Sequence, residues 1–231
     1  MNKLIRKILP IVILCCFTAL GTVNAQEKLV FKDDFKKENP RRRWTDVNGI
    51  WNIKQNLPKE NPNWAILLCK KKLPEDYILT FSVLVDSSTV SFEVILNRNE
   101  EDHLGILFLQ AQNNISIQQR SFYYTDTSET RVWSTGFHFI PKVHQENKYV
   151  WQRWRIQKAR DEIYLWIDDE SVVSFTGISD ITRNDKGKFG FATNGKVKIE
   201  NVKLFKTQNE ASLSPSDFQE RELILPFILF P

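Results

Sequence analysis

Hydrophobic residues recur along this chain with the two-residue period of β-strands, and helical periodicity is nearly absent. In Tyr77–Val85 every odd-numbered residue is apolar or aromatic, whereas Thr80 and Ser82 point to the other side. Similar short runs are bounded by Asn, Asp, Gly and Pro. The pattern predicts strands at Leu29–Phe31, Ile50–Lys54, Trp64–Cys69, Tyr77–Val85, Val90–Asn97, Leu104–Leu109, Ile115–Gln119, Tyr149–Gln157, Glu162–Ile167, Ser171–Phe175, Lys188–Ala192 and Val197–Phe205.

The connections between these runs are too short for crossover helices, so the strands should pair antiparallel. Several runs have one apolar face and one polar or aromatic face, which is typical of two stacked sheets. In Glu162–Ile167, for example, the odd positions are apolar and leave Tyr164 and Trp166 on the opposite face. The stretch Phe122–Lys148 lacks this pattern and predicts either a long functional loop or an irregular hairpin.

The first 25 residues have the pattern of a secretory signal peptide. Lys3, Arg6 and Lys7 form a basic start, Ile8–Leu20 is largely apolar, and Val23–Ala25 is a small-x-small cleavage site. The pattern predicts an exported protein of bacterial type, located in the periplasm, at the cell surface or outside the cell. Residues 26–206 would form its β-sandwich domain.

Charge and cysteine content narrow the function classes. The sequence has 32 basic and 28 acidic side chains; without the three basic residues of the leader, 29 basic residues remain and the net charge is +1. A protein that binds nucleic acid should keep a basic excess, so nucleic acid is not expected as a partner. Two of the three cysteines lie in the leader, which leaves Cys69 alone and predicts a fold held by its core.

The last segment, 207–231, differs in composition from the domain. It begins polar and ends in the apolar run Leu223–Pro231, which is too short to span a bilayer. The pattern predicts an added strand or strap packed on the domain; the alternative is a tail that docks a protein partner. No transmembrane segment is expected in the processed chain.

Aromatic and polar side chains suggest a carbohydrate site. Tyr164 and Trp166 share an outward strand face, where rings can stack on the C–H faces of sugars. Arg98, Glu93 and His103 are the polar side chains that we expect to bind hydroxyl groups, and Trp133 in the long unpatterned stretch could wall the site. The alternative is that a loop or the tail covers these rings.

Three stretches of the chain resemble a known family. Phe31–Phe35, Trp44 and Gly49–Ile53 resemble the opening of concanavalin A-like jelly rolls of the laminin G type, which begin with an aromatic-Asp-Asp-Phe segment, a Trp and a Gly-x-Trp strand. Later strands from Trp154 to Leu204 also follow the family spacing. The resemblance implies an all-β, two-sheet antiparallel jelly-roll sandwich that handles an oligo- or polysaccharide, near the 3-keto-disaccharide hydrolase-like domains of exported bacterial proteins.

The resemblance also implies a structural calcium ion held near both ends of the domain. Asp33 or Asp34 early in the chain, and Glu200 or Asn201 in the closing strand, would supply oxygen ligands; we expect Asp34 and Asn201 to be among them. No other cofactor is expected.

Three functions are compatible with these patterns. The first is an exported glycan-binding or accessory module. The second is a hydrolase of the 3-keto-disaccharide hydrolase-like kind, acting on glycosidic bonds through residues that the sequence does not identify; a carboxylate pair such as Glu93 with Asp102 stays open. The third is a non-catalytic surface protein that binds a partner through its tail.

Overall fold

The computed structural model describes residues 27–36, 40–48, 51–52, 57–58, 64–99, 102–109, 114–124, 130–141, 150–176 and 187–207. The predicted signal peptide and nearly all of the predicted tail lie outside them. The described strands are β1 Lys28–Asp33, β2 Trp44–Asn48, β3 Trp51–Asn52, β4 Leu57–Pro58, β5 Ala65–Lys72, β6 Tyr77–Val85, β7 Ser91–Asn99, β8 Asp102–Leu109, β9 Asn114–Tyr124, β10 Thr130–Pro141, β11 Gln152–Ala159, β12 Glu162–Ile167, β13 Glu170–Thr176, β14 Lys188–Asn194 and β15 Val197–Lys206. A short 3-10 helix covers Pro40–Arg42.

Two antiparallel sheets form the body of the protein. The six-stranded sheet has the order β1-β15-β6-β11-β12-β13, and the seven-stranded sheet has the order β10-β9-β8-β7-β14-β5-β2. Strands β3 and β4 form a small separate pair. The prediction of an all-β, two-sheet antiparallel jelly-roll sandwich is confirmed. No helix in the described ranges is long and apolar enough to cross a membrane.

Aromatic side chains from both sheets interdigitate in the core. Phe81 of β6 lies 5.1 Å from Phe191 of β14, and Trp154 of β11 lies 5.7 Å from Phe92 of β7, measured between ring centroids. These rings are almost completely buried. The odd-numbered residues of β6 face this core, as their alternation predicts.

The opening motif of the chain closes one end of this core. The buried carboxylate of Asp33 accepts hydrogen bonds from the backbone N–H of Phe35, at 2.8 Å, and from the indole N–H of Trp44, at 3.0 Å. The Phe35 ring stacks on Trp44 with centroids 5.2 Å apart. Because β1 belongs to one sheet and β2 to the other, this contact joins the two sheets.

The sequence missed or misjudged some strands. The unpatterned stretch Phe122–Lys148 contributes to the hairpin β9–β10, whose register shifts between Thr135 and Phe137, so the irregular-hairpin alternative is correct. The strand β2 was not predicted, and of the predicted strand Ile50–Lys54 only Trp51–Asn52 is described as a strand. The lone Cys69 lies in the core, as expected, and burial raises the pKa of its thiol to about 12.

Candidate functional site

Two outward-facing sets of polar and aromatic side chains stand out, one on each sheet. The first, which we call the aromatic surface, consists of Tyr164, Trp166, Arg155 and Glu162 on the six-stranded sheet. Tyr164 and Trp166 alternate with core residues of β12 and therefore point outward. Their ring centroids lie 6.0 Å apart with the planes 30° from parallel, and both side chains are half-buried.

Charged groups hold the aromatic surface in place. Arg155 is the direct cross-strand partner of Trp166, and its guanidinium lies 5.4 Å from the centre of the indole ring, which is a cation–π distance. The Tyr164 hydroxyl donates a hydrogen bond to Glu162. Burial and then the hydrogen bond and charge of Glu162 raise the pKa of Tyr164 to about 12. The surface therefore offers a phenol that stays protonated, a carboxylate and a guanidinium beside two rings.

The second set, which we call the polar cluster, lies on the seven-stranded sheet and consists of Glu93, His103, Arg120, Gln118 and Ser116. Its residues alternate with core residues of β7, β8 and β9, so they face away from the core. One Glu93 oxygen lies 2.7 Å from His103 Nε2 and the other lies 3.0 Å from Arg120 Nε.

Hydrogen bonds extend the polar cluster along β9. The Arg120 guanidinium donates a hydrogen bond to the side-chain amide oxygen of Gln118 at 3.0 Å. The side-chain amide nitrogen of Gln118 donates to the Ser116 hydroxyl at 2.7 Å. Although this is the outer face of the sheet, the side chains are closed to solvent: Glu93 is 0% exposed, His103 1% and Arg120 4%.

Electrostatics keep Glu93 ionised inside the polar cluster. Burial alone would raise the pKa of this carboxyl, but the charges of Arg120, His103 and Arg98 hold its pKa below the ordinary value. Arg98, itself buried, follows the left-handed residue Asn97 near the end of β7. A buried carboxylate that is held by cations in this way is fixed in its charged form.

Gly105 makes room for the ion pair. A Cβ atom at this position would lie 2.3 Å from Glu93 Oε1 and 2.6 Å from Arg120 Cδ. Trp64 also contacts the pair, because its ring centre lies 5.3 Å from the Arg120 guanidinium carbon. Beside it, the same outer face carries a small buried apolar group: Ile66, Leu68, Ile95 and Ala192.

The structure divides the predicted carbohydrate-site residues between these two places. Glu93 and His103 are brought together, with Arg98 close enough to affect the pKa of Glu93. They do not lie beside Tyr164 and Trp166 as expected, because the two groups project from opposite sheets with the core between them. Trp133 lies on β10, where it pairs with Ser121 at the edge of the seven-stranded sheet.

The register also separates the carboxylates left open as a catalytic pair. Glu93 pairs with Leu107, whereas Asp102 pairs with Asn99. Asp102 and Leu107 are five positions apart on β8, a distance of about 17 Å along the strand. Glycosidase carboxylates lie roughly 5 to 9.5 Å apart, so this pair does not have the separation that the reaction needs.

The predicted calcium ligands meet only in part. Asp33 pairs with Val202 at the end of β1, so Asp34 and Asn201 each neighbour a paired residue but are not themselves paired. Both Asp33 oxygens already accept hydrogen bonds, and the described ranges contain no group of three His, Cys, Asp or Glu side chains that could hold a metal. Calcium takes roughly six to eight oxygen ligands, so the described residues do not fit a complete site and we derive no chemistry from one.

Sequence reasoning missed Arg155 and Arg120. A signal for each was present: Arg155 alternates with the core residues Trp154 and Ile156, and Arg120 continues the outward phase of Gln118. What the sequence lacked was the register, which sets Arg155 opposite Trp166 and Arg120 opposite His103.

Comparison with solved structures finds several β-sandwich proteins of similar fold. A galectin-like protein of unknown function from Bacillus subtilis has a TM-score of 0.59 at 10% identity, covering 80% of this chain and all of that one. The carbohydrate-binding module CBM66 from Bacillus subtilis has a TM-score of 0.50 at 11% identity, covering 69% of this chain and 92% of the module. The Crh5 transglycosylase in complex with NAG has a TM-score of 0.52 at 10% identity, and the match covers 81% of this chain and 89% of the transglycosylase chain.

No family model and no curated protein matches the sequence. At these identities the structural likeness shows the fold alone. The chain therefore has a β-sandwich fold.

Proposed function

We propose that this protein is an exported carbohydrate-binding module, and that it binds an oligo- or polysaccharide on the aromatic surface. The observation that carries the proposal is the pairing of Tyr164 and Trp166, 6.0 Å apart and open to solvent in part, on the outer face of a sheet. Polar groups of Arg155 and Glu162 border the rings. Apolar rings with a few placed polar groups are the usual composition of a small-ligand site.

Accessibility favours this surface over the polar cluster. The side chains of Glu93 and His103 are fully buried, so a ligand from solvent would not reach them in this conformation. By contrast, 45% of the Arg155 side chain is exposed beside Trp166. The likeness to a carbohydrate-binding module supports the proposal at the level of the fold.

A glycan array followed by calorimetry on the hits tests the proposal. We expect Trp166→Ala to weaken binding by about tenfold or more, because buried aromatic contacts dominate such sites. The matched control is Trp151→Ala, which removes an indole that is 41% exposed and lies outside the aromatic surface. Equal binding by the Trp166 variant and the unmodified protein, or the absence of any glycan ligand, would contradict the proposal.

A hydrolase of the 3-keto-disaccharide hydrolase-like kind is the alternative function. It requires a pair of carboxyl groups at the scissile bond. In the part of the chain that the structure describes, the polar cluster surrounds its one carboxylate with cations, and Asp102 lies too far along β8. Incubating the protein with ordinary and oxidised disaccharides distinguishes this alternative, since a binding module releases no product.

A further inference from the structure

A row of cations crosses the six-stranded sheet and ends on the aromatic surface. The register pairs Lys32 with Lys203, Lys203 with Thr80, Thr80 with Arg155, and Arg155 with Trp166. Neighbours in a sheet lie about 4.8 Å apart, so the row spans roughly 19 Å from Lys32 to Trp166.

All members of this row point away from the core. Lys203 alternates with the core residues Val202 and Leu204, and Thr80 alternates with Leu79 and Phe81. Lys32 is exposed, and Lys203 is half-buried. The row is therefore a line of side chains on the open face of the sheet.

This row of cations does not stabilise the pairing of the strands. Like charges directly opposite each other in a sheet are destabilising, yet Lys32 faces Lys203. In the described ranges, no ion pair joins either ammonium group to a carboxylate, and the charge of Lys32 is the weakest of the effects that lower the pKa of the nearby Asp34. A ligand anion on this face can therefore contact both ammonium groups.

Acidic side chains on the same face lie beside the row rather than within it. Glu200 pairs with Ser82, one outward position further along β6, and Glu162 accepts the hydrogen bond from Tyr164. Glu27 approaches Arg155 at 3.8 Å, but both side chains are about half exposed. An exposed ion pair at this distance contributes little and can be exchanged for a ligand anion.

We propose that the carbohydrate bound at the aromatic surface is an anionic polysaccharide, carrying carboxylate or sulfate groups, that runs across the strands from Trp166 toward Lys32. A sugar ring at Trp166 or Tyr164 places its acidic substituent near Arg155, whose planar guanidinium can bind a carboxylate or sulfate through two hydrogen bonds. The next acidic groups meet Lys203 and Lys32. This inference rests on the proposed function and specifies its ligand.

Binding to matched neutral and charged polymers tests the inference. The full chain is titrated with dextran, dextran sulfate and polygalacturonate at low and high salt. We expect one or both anionic polymers to bind at least about tenfold more tightly than dextran, and this preference to shrink as salt rises. Comparing the affinities for dextran sulfate and polygalacturonate distinguishes recognition of sulfate from recognition of carboxylate.

A charge-matched pair of double variants locates the site. Lys32→Gln with Lys203→Gln should weaken binding to the anionic polymer by about tenfold, since hydrogen bonds to charged groups are the stronger ones. Lys196→Gln with Lys198→Gln removes the same charge from two exposed positions, one just before β15 and one near its start, and should leave binding nearly unchanged.

The outcomes separate this inference from the proposed function. Equal binding of dextran and the anionic polymers, with loss only in Trp166→Ala, would overturn the inference and leave the proposed function intact. Equal loss in both double variants would mean nonspecific attraction and would also overturn it. Binding to no glycan of any kind would overturn both proposals.

Discussion

The two sheets of this protein present opposite kinds of outer face. On the six-stranded sheet, Tyr164, Trp166 and Arg155 are in contact with solvent, and the ion pair between Arg155 and Glu27 is about half exposed. On the seven-stranded sheet, Glu93, His103 and Arg120 make short contacts and are closed to solvent. The same alternation of strand residues produces both faces, so outward direction alone does not indicate a binding surface.

The difference has an energetic consequence. Charges that are buried must be matched by partners, and removal of one partner leaves the other unpaired in a medium of low polarity. Charges on an open face stay hydrated and contribute little to stability. We call the outer face of the seven-stranded sheet the closed face and that of the six-stranded sheet the open face. We therefore expect substitutions on the closed face to lower the free energy of unfolding, and substitutions on the open face to change ligand binding.

The largest effect is expected from Glu93→Gln. This change removes the carboxylate that compensates Arg120 and the neighbouring cations, and should lower the free energy of unfolding by about 3 to 5 kcal/mol. Urea unfolding followed by tryptophan fluorescence measures it. Glu200→Gln, on the exposed part of β15, is the control and should stay within about 0.5 kcal/mol. Similar values for the two variants would remove the distinction between the faces.

A smaller effect is expected from Gly105→Ala. The added carbon would lie 2.3 Å from Glu93 Oε1 and 2.6 Å from Arg120 Cδ, so the ion pair must shift. Overpacking of this kind costs about 1 to 3 kcal/mol. Ser82→Thr adds one carbon at a half-buried position of the open face and serves as the comparison in the same unfolding experiment. An unchanged melting temperature for the Gly105 variant would show that the closed face is loosely packed.

The smallest effect is a change in pH dependence. Because the pKa of Glu93 is lowered in the folded state, its contribution to stability is complete above the ordinary glutamate value of about 4.5 and is lost as pH falls through the lower folded value. The unmodified protein should lose stability over this acidic window more steeply than Glu93→Gln. Parallel pH profiles for the two proteins would mean that Glu93 titrates alike in both states.

Much of the fold was predictable because it depends on the alternation of apolar and polar residues along each strand. The phase of β6 and β12 correctly identified core and outward positions, including Tyr164 and Trp166. The strand β2 was harder, because its residues 44–48 are mostly polar and its place in the sheet depends on pairing with β5.

The candidate site was less predictable, for a related reason. Which outward residues meet is decided by the order of strands within each sheet, and strands far apart in sequence can be neighbours. Arg155 and Lys203 flank Thr80 because β11 and β15 both pair with β6. Exposure is equally nonlocal: the sequence predicts both Glu93 and Trp166 as carbohydrate-site residues, yet only Trp166 contacts solvent.

The bond from Trp44 to Asp33 ties an edge strand to the rest of the molecule. In the described structure β1 is joined to its sheet through β15 alone, and such a terminal strand would ordinarily fray first. Because the buried Asp33 carboxylate accepts a hydrogen bond from the indole N–H of Trp44, detachment of β1 breaks this bond and uncovers that indole. The β1 amide protons that are hydrogen-bonded to β15 should therefore exchange with solvent water nearly as slowly as those of the interior strands.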